Sequence, residues 1–417
     1  MLLLIKLSWR NLWRNKRRTI LTVASVSLGL ALMLVSLGIG DGSHKQLVES
    51  AVRMGSGHVL IQADGYHDSD KFELTLDQPD QSQIESWLGD YKKSGSYTIE
   101  NSVKRCFVSG MMSSADGASG AMVFGVEPEK ERSVSKFPEK VVSGSFFEDD
   151  YLNPAVIGKG IAEKLELDIG DKTVLMAQGL DGQDIRSILL RVCGILDTGT
   201  DEFNHSLVML TLEDFQKGFD MGDSIHQYAL FTSDSDLSGS LARVVSREFP
   251  QLEVLTWAEA LPELRDAIAL DDGFNYVFQG TIFILIAFTV MNTLLMSVLE
   301  RKREFSLLDA IGLSPGGRFR MVMLEAFFIS LMATLIGFAI GFSGHLYFKL
   351  VGLPLDIFSD GEFDFGGVML DPVLYSDLSI GRITGSIATV TGITVILAVI
   401  PAVRAARAED IHMLSAK

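Results

Sequence analysis

At 417 residues the chain is long for one domain, and its 47% hydrophobic content and mean hydropathy of +0.26 fit a membrane protein with a large soluble part better than a wholly soluble one. The formal charge of -17 is uneven: residues 1–18 carry six basic groups and no acid, whereas residues 41–272 carry 20 Lys or Arg against 41 Asp or Glu. A block that acidic argues against nucleic acid as a partner.

Residues 1–18 read as a basic, amphipathic N-terminal segment. The next 22 residues, 19–40, are uncharged and at ~1.5 Å per residue are long enough to cross a bilayer. They read as the first membrane helix; a cleaved signal peptide is the rival, but the run exceeds the usual apolar stretch of one. Ser25 with Gly29, and Ser36 with Gly40, lie four apart, which suits close approach of a helix or lipid chain, although such residues are common in membrane helices anyway. From Gly42 the helix is expected to run on, stop at Gly55-Ser56-Gly57 and give way to a strand at 58–62.

Residues 41–272 then form a large domain with strands expected at 121–126, 173–177, 188–196, 206–211 and 227–232, and helices at 81–88, 159–165, 212–217 and 237–249. Between them, 155–176 reads as strand, short helix, Gly170-Asp171 turn and strand. Strands and helices do not alternate regularly, so the class is α+β and not a doubly wound sheet. Cys106 and Cys193 show no metal spacing and no CxxC pair. Cys193 sits in the apolar run ILLRVCGIL and reads as a buried core residue; a disulfide to Cys106 is the alternative if both lie outside the cytoplasm.

Uncharged runs at 273–299, 326–348 and 383–403 bring the membrane helices to four. Between the second and third lies 300–325, ERKREFSLLDAIGLSPGGRFRMVMLE, in which Phe305, Leu308, Ile311 and Leu313 fall near helical spacing before a cluster of breakers from Gly312 to Gly317. This reads as a short amphipathic helix at a membrane surface, or as an ordinary loop. Net charges of +6 for 1–18, +1 for 300–325 and +1 for the tail 404–417 stand against -21 for 41–272 and -4 for the loop 349–382. Positive-inside counting therefore puts both termini and 300–325 in the cytoplasm and the large domain outside, in the periplasm of a two-membrane envelope.

No GxxxxGK[ST] loop occurs in the sequence, so the chain is not expected to hydrolyse ATP itself, and no GxSxG or HExxH set is present. The run Asp201-Glu202-Phe203-Asn204-His205 holds metal-ligand types but lies where polar residues make turns; no metal site is expected. Asn292 is the notable polar group within the membrane runs and is expected to hydrogen-bond to a neighbouring helix. No charge lies in the middle of any run, which argues against an ion relay.

Four stretches resemble the MacB/FtsX-type ABC transporter permeases, most of all the lipoprotein-releasing branch. They are Trp9-Arg10-Asn11-Leu12 with Arg14-Asn15 and Arg17-Arg18; Asn292-Thr293 with Glu300-Arg301, Arg303-Glu304, Ala310, Gly312 and Glu325; Pro401-Ala402 with Arg404-Ala405-Ala406; and, in the outer domain, Ile157-Gly158-Lys159, Gly170-Asp171 and Val192-Cys193-Gly194-Ile195. The resemblance implies an inner-membrane permease dimer, homo- or heteromeric, on two copies of a separate ATPase that holds the ATP and Mg. It implies a coupling helix ending at Gly312 that fits a groove on the ATPase, with Glu300, Arg301, Arg303 and Glu304 as polar contacts and Leu308 and Ile311 turned toward the membrane helices. It implies mechanical extraction of lipoproteins toward a periplasmic carrier; efflux of peptides or amphiphiles, and mechanical signalling to a periplasmic partner, are the alternatives. Val26, Leu30, Met33, Leu37, Phe278, Ile282 and Phe288 would suit a client's acyl chains or equally a helix interface, with Ser25, Gly29 and Asn292 in helix packing. The family's carrier-binding hairpin corresponds here to the short stretch AQGLDGQDIRS, 177–187, which departs from that pattern.

Overall fold

The computed structural model describes residues 2–69, 71–93, 99–147, 151–180, 184–355, 364–365, 368–369 and 372–407. The tail from 408, residues 356–363, 366–367 and 370–371 of the 349–382 loop, and the 181–183 tip lie outside the described residues. In chain order, α1 (Leu2–Leu12) and α2 (Lys16–Arg53) lead to β1 (Val59–Ala63), α3 (Tyr66–Ser69), α4 (Gln78–Lys93), β2 (Ile99–Ser113) and β3 (Ala118–Val126). Then come α5 (Pro128–Val134), β4 (Val141–Gly144), β5 (Pro154–Gly158), α6 (Lys159–Lys164), β6 (Lys172–Gln178) and β7 (Ile185–Leu196). They are followed by α7 (Asp201–Ser206), β8 (Leu207–Thr211), α8 (Leu212–Phe219), β9 (Gln227–Thr232), α9 (Ser238–Glu248), β10 (Leu252–Thr256) and α10 (Trp257–Ala260). The chain continues through α11 (Pro262–Glu300), α12 (Lys302–Ala310), α13 (Pro315–Leu350), α14 (Ile380–Leu397) and α15 (Val399–Ala406).

Two compact units result, one of residues 1–44, 269–354 and 373–417, the other of 45–268 and 355–372. In the second, ten strands form one mixed sheet in the order β10-β1-β9-β2-β3-β8-β5-β7-β4, with β6 paired to β2 and β7. Two pairs, β3 with β8 and β5 with β7, are parallel. One face carries the main core, where Ile61, Val108, Val123 and Leu230 meet Ile84 of α4, Ile161 of α6, Phe215 of α8 and Val245 of α9. Because side chains alternate along a strand, Arg105, Phe107 and Ser109 of β2 project to the opposite face. There Arg105, fully buried, holds Glu131 of α5 with two bonds, at 2.7 and 3.3 Å, and also donates to the Ser56 carbonyl.

The alternation signal located β9 at its observed bounds and β3, β6, β7 and β8 within a few residues. It did not reveal β2, the 15-residue strand at the middle of the sheet, because IENSVKRCFVSGMMS puts a Lys and an Arg where a buried strand normally shows apolar side chains. The Asp201 run is a short helix and not a turn, and Asn204 of it accepts the Thr198 backbone N–H at 2.9 Å. Cys106 and Cys193 are buried free thiols in different clusters, so the disulfide alternative is overturned.

Among the described residues, four helical stretches are long and apolar enough to cross a membrane: Leu4–Arg53, Pro262–Glu300, Pro315–Leu350 and Ile380–Ala406. Ile282, Ile286, Val290 and Leu294 repeat every fourth residue and bury one stripe of α11 against Val26, Leu30, Met33 and Leu37 of α2. Backbones approach closely where side chains are small. A Cβ added at Gly337 would stand 2.7 Å from the Ser27 carbonyl oxygen, and one at Gly341 would stand 2.9 Å from Ala31 Cα. The GFAIG run of α13 thus seats against Ser27 and Ala31 of α2, two small pairs each four apart.

Candidate functional site

The 300–325 stretch folds as a short helix closed at its C-terminal end. Gly312 has φ +93°, its N–H donates to the Asp309 carbonyl at 2.8 Å, and the Leu313 N–H reaches back to Leu308 at 2.9 Å. That pair of bonds satisfies the last carbonyls of α12 and requires a left-handed residue at Gly312. Ser314 then caps α13 by accepting the Gly317 N–H, with Pro315 in the first helical turn, where its missing N–H costs nothing. Phe305 is fully buried against Val298, Met321, Val322, Ala402 and Ala405, so α12 is packed onto α11, α13 and α15 by its apolar stripe.

Charged groups lock this packing. Arg301 donates to Glu325 at 2.7 Å and to Glu304 at 3.2 Å, while its guanidinium lies 5.1 Å from the Phe305 ring centroid. Glu325 also accepts from Asn11 at 3.1 Å, and Ser8 bonds the Met321 carbonyl at 3.1 Å, tying α1 to α13. Two pairs link the start of the chain to the turn: Arg14 with Glu304 and Arg18 with Glu300, each at 2.7 Å. On the far side Arg318, 1% exposed, bonds Asp309 at 3.3 Å and the Ala406 carbonyl at 3.2 Å. Burial pushes the Glu304 carboxyl up, but the hydrogen bonds from Arg14 and Arg301 outweigh it and hold the group below the usual carboxylate range. The Arg14 and Glu304 side chains are about half exposed, so their bridge is worth only ~0–1 kcal/mol. Buried Arg301 and Glu325 are different in kind, because loss of Arg301 leaves the buried Glu325 carboxylate without its cation.

The predicted residues fall in places that change their roles. Arg301 and Glu304 face partners within the chain, and Glu300 is paired with Arg18, whereas Arg303 is exposed. Leu308 packs beside Phe305, but Ile311 is 76% exposed, turned out by the left-handed Gly312 turn instead of toward the spanning helices. Val26, Leu30, Met33, Leu37 and Ile282 are buried in the core between helices, while Phe278 and Phe288 are exposed. Gly29 does meet α11, an added Cβ standing 2.9 Å from Ile286, but Ser25 is exposed and bonds its own helix at Leu21. Asn292 is exposed as well; the bond between helices is made one residue on, by Thr293 with Thr22 at 2.9 Å. Asn11, Arg14, Arg18 and Arg318 were not read as site residues. The signal was present, since a basic N-terminus without acids and a loop holding Glu300, Glu304 and Glu325 are complementary.

Four apolar helices, a large α+β domain after the first, and a charged helical turn after the second define a permease-type membrane protein. Two family profiles cover it: a MacB-like periplasmic core domain over residues 19–246, and an FtsX-like permease C-terminal domain over 276–409. The chain belongs to the MacB/FtsX-type ABC transporter permeases. It is similar to the lipoprotein-releasing system transmembrane protein LolC of Neisseria meningitidis, 23% identical over 78% of this chain and 76% of that one. The macrolide export ATP-binding/permease protein MacB of Neisseria gonorrhoeae is 23% identical over 96% of this chain and 59% of its own length. The periplasmic region of MacB from Actinobacillus actinomycetemcomitans matches at 12% identity over 50% of this chain and 91% of that one, with a TM-score of 0.34.

Proposed function

We propose that this permease extracts lipoproteins, or similar lipid-anchored clients, from the inner membrane, driven by two copies of a separate ATPase that hold the ATP and Mg. Both termini and the α12 turn face the cytoplasm, the large domain faces the periplasm, and a second permease copy or a related subunit completes the dimer. The observation that carries the reading is the Arg301–Glu325 lock with its Asn11, Arg14 and Arg18 links, because a push on α12 reaches α1, α2, α11 and α13 together. Exposed Arg303 and Ile311 are the contacts α12 offers the ATPase groove. The similarity to lipoprotein-releasing permeases supports the choice of client.

A second reading, efflux of amphiphiles, draws on one feature. β6 and β7 pair as far as Gln178 opposite Ile185, so the connection between them is too short for a long carrier-binding arm. The test reconstitutes the chain with its ATPase and a membrane-anchored triacylated lipoprotein and follows ATP-dependent transfer to a soluble acceptor. Transfer that needs ATP and is lost in Glu304→Lys supports extraction. ATPase activity that depends on this chain, without transfer, supports efflux or signalling instead.

A further inference from the structure

The large domain contains a cavity of about 470 Å³ on the sheet face opposite its main core. Its floor is set by register: Gln62 lies opposite Gln227 between β1 and β9, Phe107 opposite Phe124 and Ser109 opposite Met122 between β2 and β3. Met54 at the end of α2, Phe203 of α7 and Leu261 wall it in. The Gly55 turn is held close over this floor, since an added Cβ there would stand 3.1 Å from the Phe124 ring, and its φ of +131° suits glycine alone. The volume lies within the roughly 300–1,000 Å³ typical of small-ligand sites.

One group in it is unexplained. Gln227 is 5% exposed, and its side-chain amide nitrogen has no hydrogen-bond partner among the described residues. A buried donor left unpaired is costly, a cost that persists in sites built to pair with a ligand. The neighbouring Gln62 is satisfied by Glu253 at 2.9 Å, so the vacancy belongs to Gln227. No Lys or Arg is among the lining residues, and Glu202 is, so the lining does not favour a carboxylate or phosphate. Aromatic and Met walls, with neutral polar groups at Ser109, Tyr66 and His67 and the unpartnered donor of Gln227, match an apolar chain joined through a neutral carbonyl.

We propose that this cavity binds an acyl chain through its amide or ester carbonyl, which accepts the Gln227 N–H. The proposal rests on the lipid-anchored-client reading and gives that client a second holding site, in the large domain. It is tested on the full chain in nanodiscs with N-decanoyl-glycinamide carrying a diazirine on its acyl chain, the labelled residues being mapped by mass spectrometry. Saturable labelling of Met122, Phe124 or Phe203 is expected. Gln227→Leu should weaken it about tenfold while leaving thermal stability equal or higher, since it removes an unpaired donor. Met122→Trp, which fills the cavity at an exposed rim position, should abolish it. Labelling spread over the chain, or equal affinity in Gln227→Leu, overturns the proposal. Lipoprotein transfer without this labelling defeats the cavity and leaves extraction standing; labelling without transfer does the reverse.

Discussion

Arg301 and Glu325, with side chains 8% and 5% exposed, bond at 2.7 Å, so Arg301 cannot be removed without stranding the buried Glu325 carboxylate. Arg301→Met should cost about 3–5 kcal/mol, read as a lowered melting temperature in detergent, and the double variant Arg301→Met/Glu325→Leu should recover most of it. A double variant no better than the single one would show that the pair is not what holds the turn. In the large domain, His226 accepts the Phe107 N–H through Nδ1 and lies 3.0 Å from the Phe72 carbonyl through Nε2, so the proton sits on Nε2 and the ring is neutral. Burial pushes its pKa down to about 4. Below the ordinary value near 6.5 the unfolded chain takes up a proton that the folded one refuses, so stability falls as pH drops toward 4. From pH 6.5 to 5 this group alone should cost roughly 1.5 kcal/mol in denaturant titrations, and His226→Asn should remove that part of the pH dependence.

At the scale of elements, α2 and α13 pack through glycine and not through large apolar side chains. Lipid tails are as apolar as Leu, so close van der Waals approach has to supply the association. Gly341→Leu would drive a side chain into Ala31 and Leu34, and should cost about 1–3 kcal/mol and lower the melting temperature. Gly385→Leu on α14, where an added Cβ meets nothing within 4 Å, is the control that should leave it unchanged. The end of α12 is equally specific. Gly312→Val must adopt φ +93° with a β-branched side chain, which would loosen the turn that points Ile311 outward.

For the molecule as a whole, the Arg14–Glu304 bridge is a testable link between the start of the chain and the turn after the second spanning helix. Arg14→Glu should reduce coupling of ATP hydrolysis to client transfer while folding is retained, because the half-exposed bridge contributes little stability and the Glu304 bond to Arg301 is untouched. Arg14→Lys should keep coupling, because it retains the opposite charge. If ATPase-driven transfer is unaffected by Arg14→Glu, the motion does not pass through this bridge.

Four spanning helices and a large acidic domain after the first were legible in the sequence, because hydropathy and charge act residue by residue and survive without knowledge of contacts. The Gly312 turn and most strands were legible for the same reason: backbone preference and alternation are local. Which charges were solvated was not. Arg301 read as a polar contact for the ATPase groove and Arg105 was not singled out; both are buried because Glu325 and Glu131 reach them from other elements. Thr293, and not Asn292, faces α2, since a single residue turns a helical side chain by about 100° and hydropathy does not set the phase. The cavity beside Gln227 was likewise invisible, since four strands and four further segments, 51–56, 66–67, 202–203 and 260–261, build it. Local energies determined the elements; only the tertiary structure decided the partners, because a buried charge or an unpaired amide is defined by neighbours that lie far away along the chain.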